Sequence, residues 1–229
     1  MKVIPRQIIL SFFLLALTGL AQSQEGISIG ALNALQNYRI GRDLESRGRM
    51  SEAEPFYNET VRICTNQVSQ NTATRDTYTA LTWALQRQQK YNEVITWGQR
   101  GLALFADEVR IVETMGEAYF YLNDHDRSLD FMQRYADAAP RGERVSVAYF
   151  FIGEIFRYKS HFHHADIAYT TAVRLEPGVA LWWYRLGSVR EAAGDYLDAI
   201  AAYEQALRLN TNYREASEGL IRSRRQAGL

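Results

Sequence analysis

The residues best suited to chemistry are three clustered histidines, His161, His163 and His164. A fourth histidine, His125, stands between two aspartates in an equivalent position earlier in the chain. Imidazole and carboxylate groups bind zinc where two or more rings converge on the ion. The spacing is not that of a known structural zinc site, and nothing in the sequence fixes the rings. We therefore predict no metal site and interpret these residues as solvated turns, with zinc binding as the alternative.

The sequence contains no motif of a known catalytic site. It has no Gly-rich phosphate loop, no HExxH, no GxSxG and no paired CxxC. The one cysteine, Cys64, is interpreted as a small buried residue, with an intermolecular disulfide as the alternative. The 26 basic and 26 acidic residues balance, which gives no electrostatic reason to bind nucleic acid. We predict a protein that is not an enzyme, needs no cofactor and does not bind nucleic acid.

The N-terminus has the pattern of a signal peptide. Lys2 and Arg6 precede an apolar run from Ile8 to Leu17, which is shorter than the roughly 20 residues of a membrane span. Small residues follow, and cleavage is expected after Ala21. No cysteine follows the run, so a lipoprotein is not expected. We predict export to the periplasm or secretion, with an uncleaved anchor as the alternative.

The remaining chain shows a helical pattern with a fixed period. The spacing of Ala199, Tyr203 and Ala206 returns 34 residues earlier, beginning at Ala165. A period of this length indicates an array of helical hairpins, because one hairpin cannot bury its apolar face alone. Small residues such as Gly187, expected to face Ala199, would let two helices approach within about 8 to 10 Å.

These spacings resemble the tetratricopeptide repeat family, whose unit is two antiparallel helices. The resemblance implies an all-α, right-handed superhelical solenoid of about five helix-turn-helix repeats and a C-terminal capping helix. The match is strongest near the C-terminus and weakens toward the N-terminus. The predicted segments are a signal peptide (1–21, alternatively to 23), an N-terminal extension (22–33), five repeats (34–67, 75–108, 109–142, 146–179 and 180–213) and a capping helix (214–229).

In this family the first helix of each repeat lines an inner, concave face that holds a peptide or a partner helix. Aromatic rings and arginine are the residue types that most often dominate binding energy at interfaces. By register, the resemblance assigns the following residues to this face: Arg42, Trp83, Arg87, Glu113, Glu117, Phe120, Tyr121, Phe150, Glu154, Arg157, Tyr158 and Tyr184.

Two features of this face have consequences for binding. Glu113, Glu117 and Glu154 suggest an acidic stretch, which would favour basic or neutral-polar partner segments. Phe120 and Phe150 belong either to the binding face or to the packing between neighbouring repeats.

The sequence as a whole predicts an exported scaffold for protein–protein interaction in the cell envelope, within an assembly, secretion or transport complex. One alternative is a module that holds a small molecule or docks a solute-binding protein. Another is a structural protein that assembles with itself through its ends.

Overall fold

A computed structural model describes residues 32–229, and these form eleven helices without strands. The predicted signal peptide and nearly all of the N-terminal extension lie outside the described residues. The helices are α1 (Ala34–Ser46), α2 (Met50–Ser69), α3 (Arg75–Arg87), α4 (Tyr91–Leu104), α5 (Val109–Tyr121), α6 (His125–Ala138), α7 (Val145–Tyr158), α8 (Phe162–Leu175), α9 (Ala180–Ala193), α10 (Tyr196–Leu209) and α11 (Arg214–Ala227). The predicted all-α helical repeat is confirmed.

The helices divide between two compact units. Unit 1 ends at Ala106 and contains α1 to α4, and unit 2 begins at Asp107 and contains α5 to α11. Within each unit, consecutive helices pack as hairpins, and the odd-numbered helices are the first helices of these hairpins. Four of the five predicted repeats and the capping segment begin where an odd-numbered helix begins, and α7 begins one residue before the fourth repeat.

In the hairpins that contain Gly41, Gly153 and Gly187, close packing depends on this glycine in the first helix and a tyrosine in the second. A methyl group built on Gly153 would lie 2.6 Å from the ring of Tyr169, and one on Gly187 would lie 2.8 Å from Tyr203. The atoms nearest to Gly187 thus belong to Tyr203, whereas the sequence suggested Ala199. The large ring fills the space that the missing side chain leaves, so the hairpin needs both residues.

Some of the hairpin turns use residues that tolerate left-handed backbone, whereas Gln89 and Ser160 adopt this conformation in two others. The α9 helix ends at Gly194 with φ of 87°, and α5 is followed by Asn123 with φ of 61°. Glycine and asparagine adopt this conformation at least cost.

Cys64 is fully buried in α2, as interpreted from the sequence. Burial raises the pKa of its thiol to about 12, so the sulfur stays protonated and unreactive at neutral pH. Within residues 32–229, no helix combines the length and the apolar character that crossing a bilayer requires.

Candidate interaction surface

The contact between α7 and α9 is built around one buried carboxylate. Glu154 of α7 is fully buried, and its two oxygens lie 2.8 Å from Arg157 Nη2 and 2.8 Å from Nε of Arg185 on α9. The hydroxyl of Tyr169 on α8 also donates to Glu154. One negative charge therefore holds two guanidinium groups and joins three helices.

Three tyrosines frame these two arginines. The guanidinium of Arg157 lies 4.6 Å from the ring centre of Tyr158, and that of Arg185 lies 5.6 Å from Tyr184. The ring of Tyr184 in turn lies 5.1 Å from Tyr213. We call these five residues the arginine–tyrosine patch. Cation–π contacts of this kind stabilise both partners when the cation is partly desolvated.

The patch is partly open to solvent. The residue Tyr158 is 45% exposed, and the side chains of Arg157 and Arg185 are 24% and 19% exposed. The arginines therefore have fixed positions with their Nε atoms buried, and part of each side chain remains exposed to another molecule.

The contact between α5 and α7 has two glutamates and one arginine, whereas the contact between α7 and α9 has one glutamate and two arginines. Glu113 and Glu117 of α5 are both buried and share Arg144, whose Nε lies 2.7 Å from Glu113 Oε1 and whose Nη2 pairs with Glu117. Burial raises the pKa of Glu113 well above its usual range, although the charge on Arg144 acts against this rise.

The predicted acidic stretch is therefore wrong. Glu113, Glu117 and Glu154 are buried and paired with arginine, and they expose no carboxylate surface to a partner. Carboxylates between successive first helices lose their water, and only a neighbouring cation makes that position tolerable.

Phe120 and Phe150 also lie in the interior of unit 2. Phe120 packs edge-on against Phe151 at 5.0 Å between ring centres, and Phe150 stacks on Trp182 at 5.4 Å. Both phenylalanines therefore pack between neighbouring hairpins, and their assignment to the binding face is corrected. Tyr121 is half-buried beside Phe120.

Unit 1 contains a cluster of the same type. Glu45 is buried, accepts 2.6 and 2.8 Å hydrogen bonds from Tyr57 and Arg87, and has Arg42 at 3.9 Å. Burial would raise the pKa of Glu45, but the hydrogen bond and charge of Arg87 outweigh it and lower this pKa. Trp83 stacks on a neighbouring tyrosine 5.2 Å away and is half-buried. Of the three predicted unit 1 residues, Arg42 and Arg87 thus flank one buried carboxylate, and Trp83 packs on a neighbouring tyrosine.

The histidines do not form a metal centre in the described part of the chain, where no three histidine, cysteine, aspartate or glutamate side chains converge suitably. His161 and His164 lie 5.9 Å apart between ring centres and, with His163, line an open surface cavity of about 320 Å³. His125 instead stacks on Tyr158 at 5.0 Å.

Sequence reasoning missed Arg144, Arg185 and Tyr213. A signal for the arginines is present in the chain, because a glutamate is followed by its arginine partner 31 residues later in three places. The pairs are Glu113 with Arg144, Glu154 with Arg185 and Glu191 with Arg222. For Glu154 and Glu191 this spacing is one repeat less about one helical turn, which places the arginine on the next odd-numbered helix. Arg144 instead lies just before α7, because extra residues separate the third and fourth repeats.

Comparison with known families gives a match within the C-terminal half of the described chain. A family model described as tetratricopeptide repeat matches residues 152–214. The human protein O-mannosyl-transferase TMTC1 is 24% identical over 184 residues, which cover 80% of this chain and 20% of the human protein. Its mouse counterpart is 29% identical over 99 residues, or 43% of this chain and 10% of the mouse protein. The chain thus spans at most about a fifth of these relatives.

Solved structures show the same fold. The crystal structure of MamA has a TM-score of 0.60 at 17% identity, with 80% of this chain and 97% of MamA covered. The APC/C hetero-tetramer Cut9–Hcn1 has a TM-score of 0.59 at 14% identity, with 83% of this chain and 42% of that chain covered. These similarities show an all-α helical repeat fold.

Proposed function

We propose that this chain, whose residues 152–214 match the tetratricopeptide repeat family, is an exported scaffold that binds a protein partner in the cell envelope. Tetratricopeptide repeats generally mediate protein–protein interaction. The observation that carries the proposal is the arginine–tyrosine patch of unit 2, where Arg157 and Arg185 are held in place yet partly exposed.

Interface energetics support this role for the patch. Tyrosine and arginine are enriched among the residues that contribute most to binding. Side chains that are already ordered lose less conformational entropy when a partner arrives, and Glu154 orders both arginines before binding. The patch therefore combines the residue types of an interface with prior positioning.

A small-molecule role has less support. Two surface cavities of about 320 and 340 Å³ lie at the turn around His163 and near Lys90, and neither is lined by the arginine–tyrosine patch. The transferase activity in the name of TMTC1 is not proposed, because this chain spans about a fifth of that protein.

Export is proposed from the charge and apolar pattern of residues 1–21. Mass spectrometry of the protein recovered from envelope and culture medium should give a chain that begins at Gln22 or Gln24. Recovery of a full-length chain starting at Met1 in the cytoplasmic fraction would contradict export and leave the binding proposal untouched.

The binding role is tested by photo-crosslinking in intact source cells. A benzophenone amino acid replaces Tyr158 or Tyr184 in the patch, and Ala201, which is exposed on α10, serves as the control position. We expect positions 158 and 184 to capture one defined protein that position 201 does not capture. The same products at all three positions would contradict a binding patch, and products containing only this chain would indicate self-assembly.

A further inference from the structure

The arginine–tyrosine patch has more positive than negative charge. Arg157 and Arg185 share the single carboxylate of Glu154, which also accepts from Tyr169. A carboxylate offers about four acceptor sites, whereas two guanidinium groups carry about ten N–H donors. The Nε atoms of both arginines are buried, so the donors left for water or a ligand are on the terminal guanidinium nitrogens, and both side chains reach solvent.

Charged residues around the arginine–tyrosine patch do not cancel its excess of positive charge. Lys159 pairs with Asp126, and Arg222 pairs with Glu191, so each of these pairs is balanced. Glu215 is exposed at the start of α11, where solvent and salt screen its charge.

Planar guanidinium groups bind carboxylates through paired N–H donors, and ordered groups do so with geometric specificity. The tyrosine rings beside them supply apolar area for the rest of a peptide. The balanced charge of the whole chain argues against a phosphate backbone as the ligand, because nucleic-acid sites rely on extended basic surfaces.

We propose that the arginine–tyrosine patch binds a carboxylate of an extended acidic segment in the partner protein. Arg157 and Arg185 contact the carboxylate, and Tyr158 and Tyr184 pack against neighbouring apolar groups. This proposal rests on the proposed function and reverses the preference for basic partners that the sequence suggested.

The probe for this proposal is a library of random linear dodecapeptides displayed on phage and selected on the full chain. We expect the enriched peptides to be rich in aspartate and glutamate. One enriched peptide is then labelled with fluorescein and titrated by anisotropy against the wild type and three variants, Arg185→Gln, Glu154→Gln and Arg208→Gln.

The variants separate ligand binding from structural support. Arg185→Gln should weaken the peptide about tenfold, because a charged hydrogen-bond donor is lost. Glu154→Gln should strengthen it about threefold, because the glutamine carbonyl still accepts a hydrogen bond that orders the arginines, while the competing negative charge is removed. Arg208→Gln, an exposed arginine on α10, makes the same charge change as Arg185→Gln and should have no effect. A purely structural cluster would make Arg185→Gln and Glu154→Gln change affinity in the same direction, which overturns the proposal.

Folding of each variant is checked by far-UV circular dichroism. If Arg185→Gln does not fold, wild-type titrations in rising salt replace it. The acidic peptide should weaken severalfold between about 50 and about 300 mM NaCl, while a glutamine counterpart should not change. Equal salt dependence for the two peptides overturns the proposal.

Three further results would also overturn it. These are enrichment of neutral or basic peptides, equal displacement of the peptide by a single-stranded oligothymidylate, and no enrichment at all. Capture of a partner protein at positions 158 and 184 in any of these cases would leave the scaffold function standing.

Discussion

At the junction of α5 and α7, two buried glutamates share Arg144, whereas at the junction of α7 and α9 the single buried Glu154 holds Arg157 and Arg185. Both junctions lie in unit 2 and place their carboxylates on first helices. Their surface charge differs because the ratio of glutamate to arginine is inverted. The sign of charge offered to a partner is thus set by the composition of each ion-pair cluster, and the buried glutamates alone do not reveal it.

The largest effect should follow from removing Arg144. Arg144→Gln leaves Glu113 and Glu117 buried without their cation, and we expect a loss of about 2–3 kcal/mol in the free energy of unfolding, reduced by the partial exposure of Arg144. Urea denaturation measures this loss, with the exposed Arg141→Gln as control.

Arg185→Gln should cost less than Arg144→Gln, about 1 kcal/mol, because Arg157 still neutralises Glu154. Denaturation of both variants under one set of conditions tests the comparison between the two junctions. Equal losses would show that the ratio of glutamate to arginine does not govern stability.

The hydroxyl of Tyr169 is a further difference between the α5–α7 and α7–α9 junctions. It donates to Glu154, whereas the side chain that packs on Gly116 in the preceding hairpin is Met132, which has no hydroxyl. Tyr169→Phe should lower the free energy of unfolding by about 1 kcal/mol. Thermal and urea unfolding measure it, and Tyr149→Phe on α7 is the matched control. No difference between the two variants would mean that Glu154 does not need the hydroxyl.

The last prediction concerns the pH dependence of stability. Because burial raises the pKa of Glu113, the native state binds more protons than the unfolded chain between the usual glutamate pKa and the raised value. The free energy of unfolding should therefore fall as pH rises through that window, and Glu113→Gln should remove this fall. Urea denaturation at several pH values tests the sign, and parallel curves for variant and wild type would contradict it.

The sequence was sufficient to predict the hairpins because their determinants are local. The starts of α5 and α9 at Val109 and Ala180 follow from the repeat period, and the turn at Gly194 follows from its backbone preference. The period is read by comparing neighbouring repeats and the turn from a single residue, and neither depends on which side chains meet between hairpins.

The repeat period and the turn residues could not predict the charge of the candidate surface. Register places Glu154 correctly on the first helix of its hairpin, but its burial and its partner Arg185 depend on the next hairpin in the chain. Likewise, Phe150 is buried because Trp182 stacks on it. Such contacts join residues about one repeat apart, and they become visible in the sequence only when the 31-residue spacing of glutamate and arginine is sought.

The central claim is that a partner protein binds at the arginine–tyrosine patch. Its most direct test is the crosslinking yield from position 184 in intact cells, measured in the Arg185→Gln and Arg208→Gln backgrounds. The yield to the captured partner should fall severalfold with Arg185→Gln and stay unchanged with Arg208→Gln. Equal yields in both backgrounds would contradict the claim.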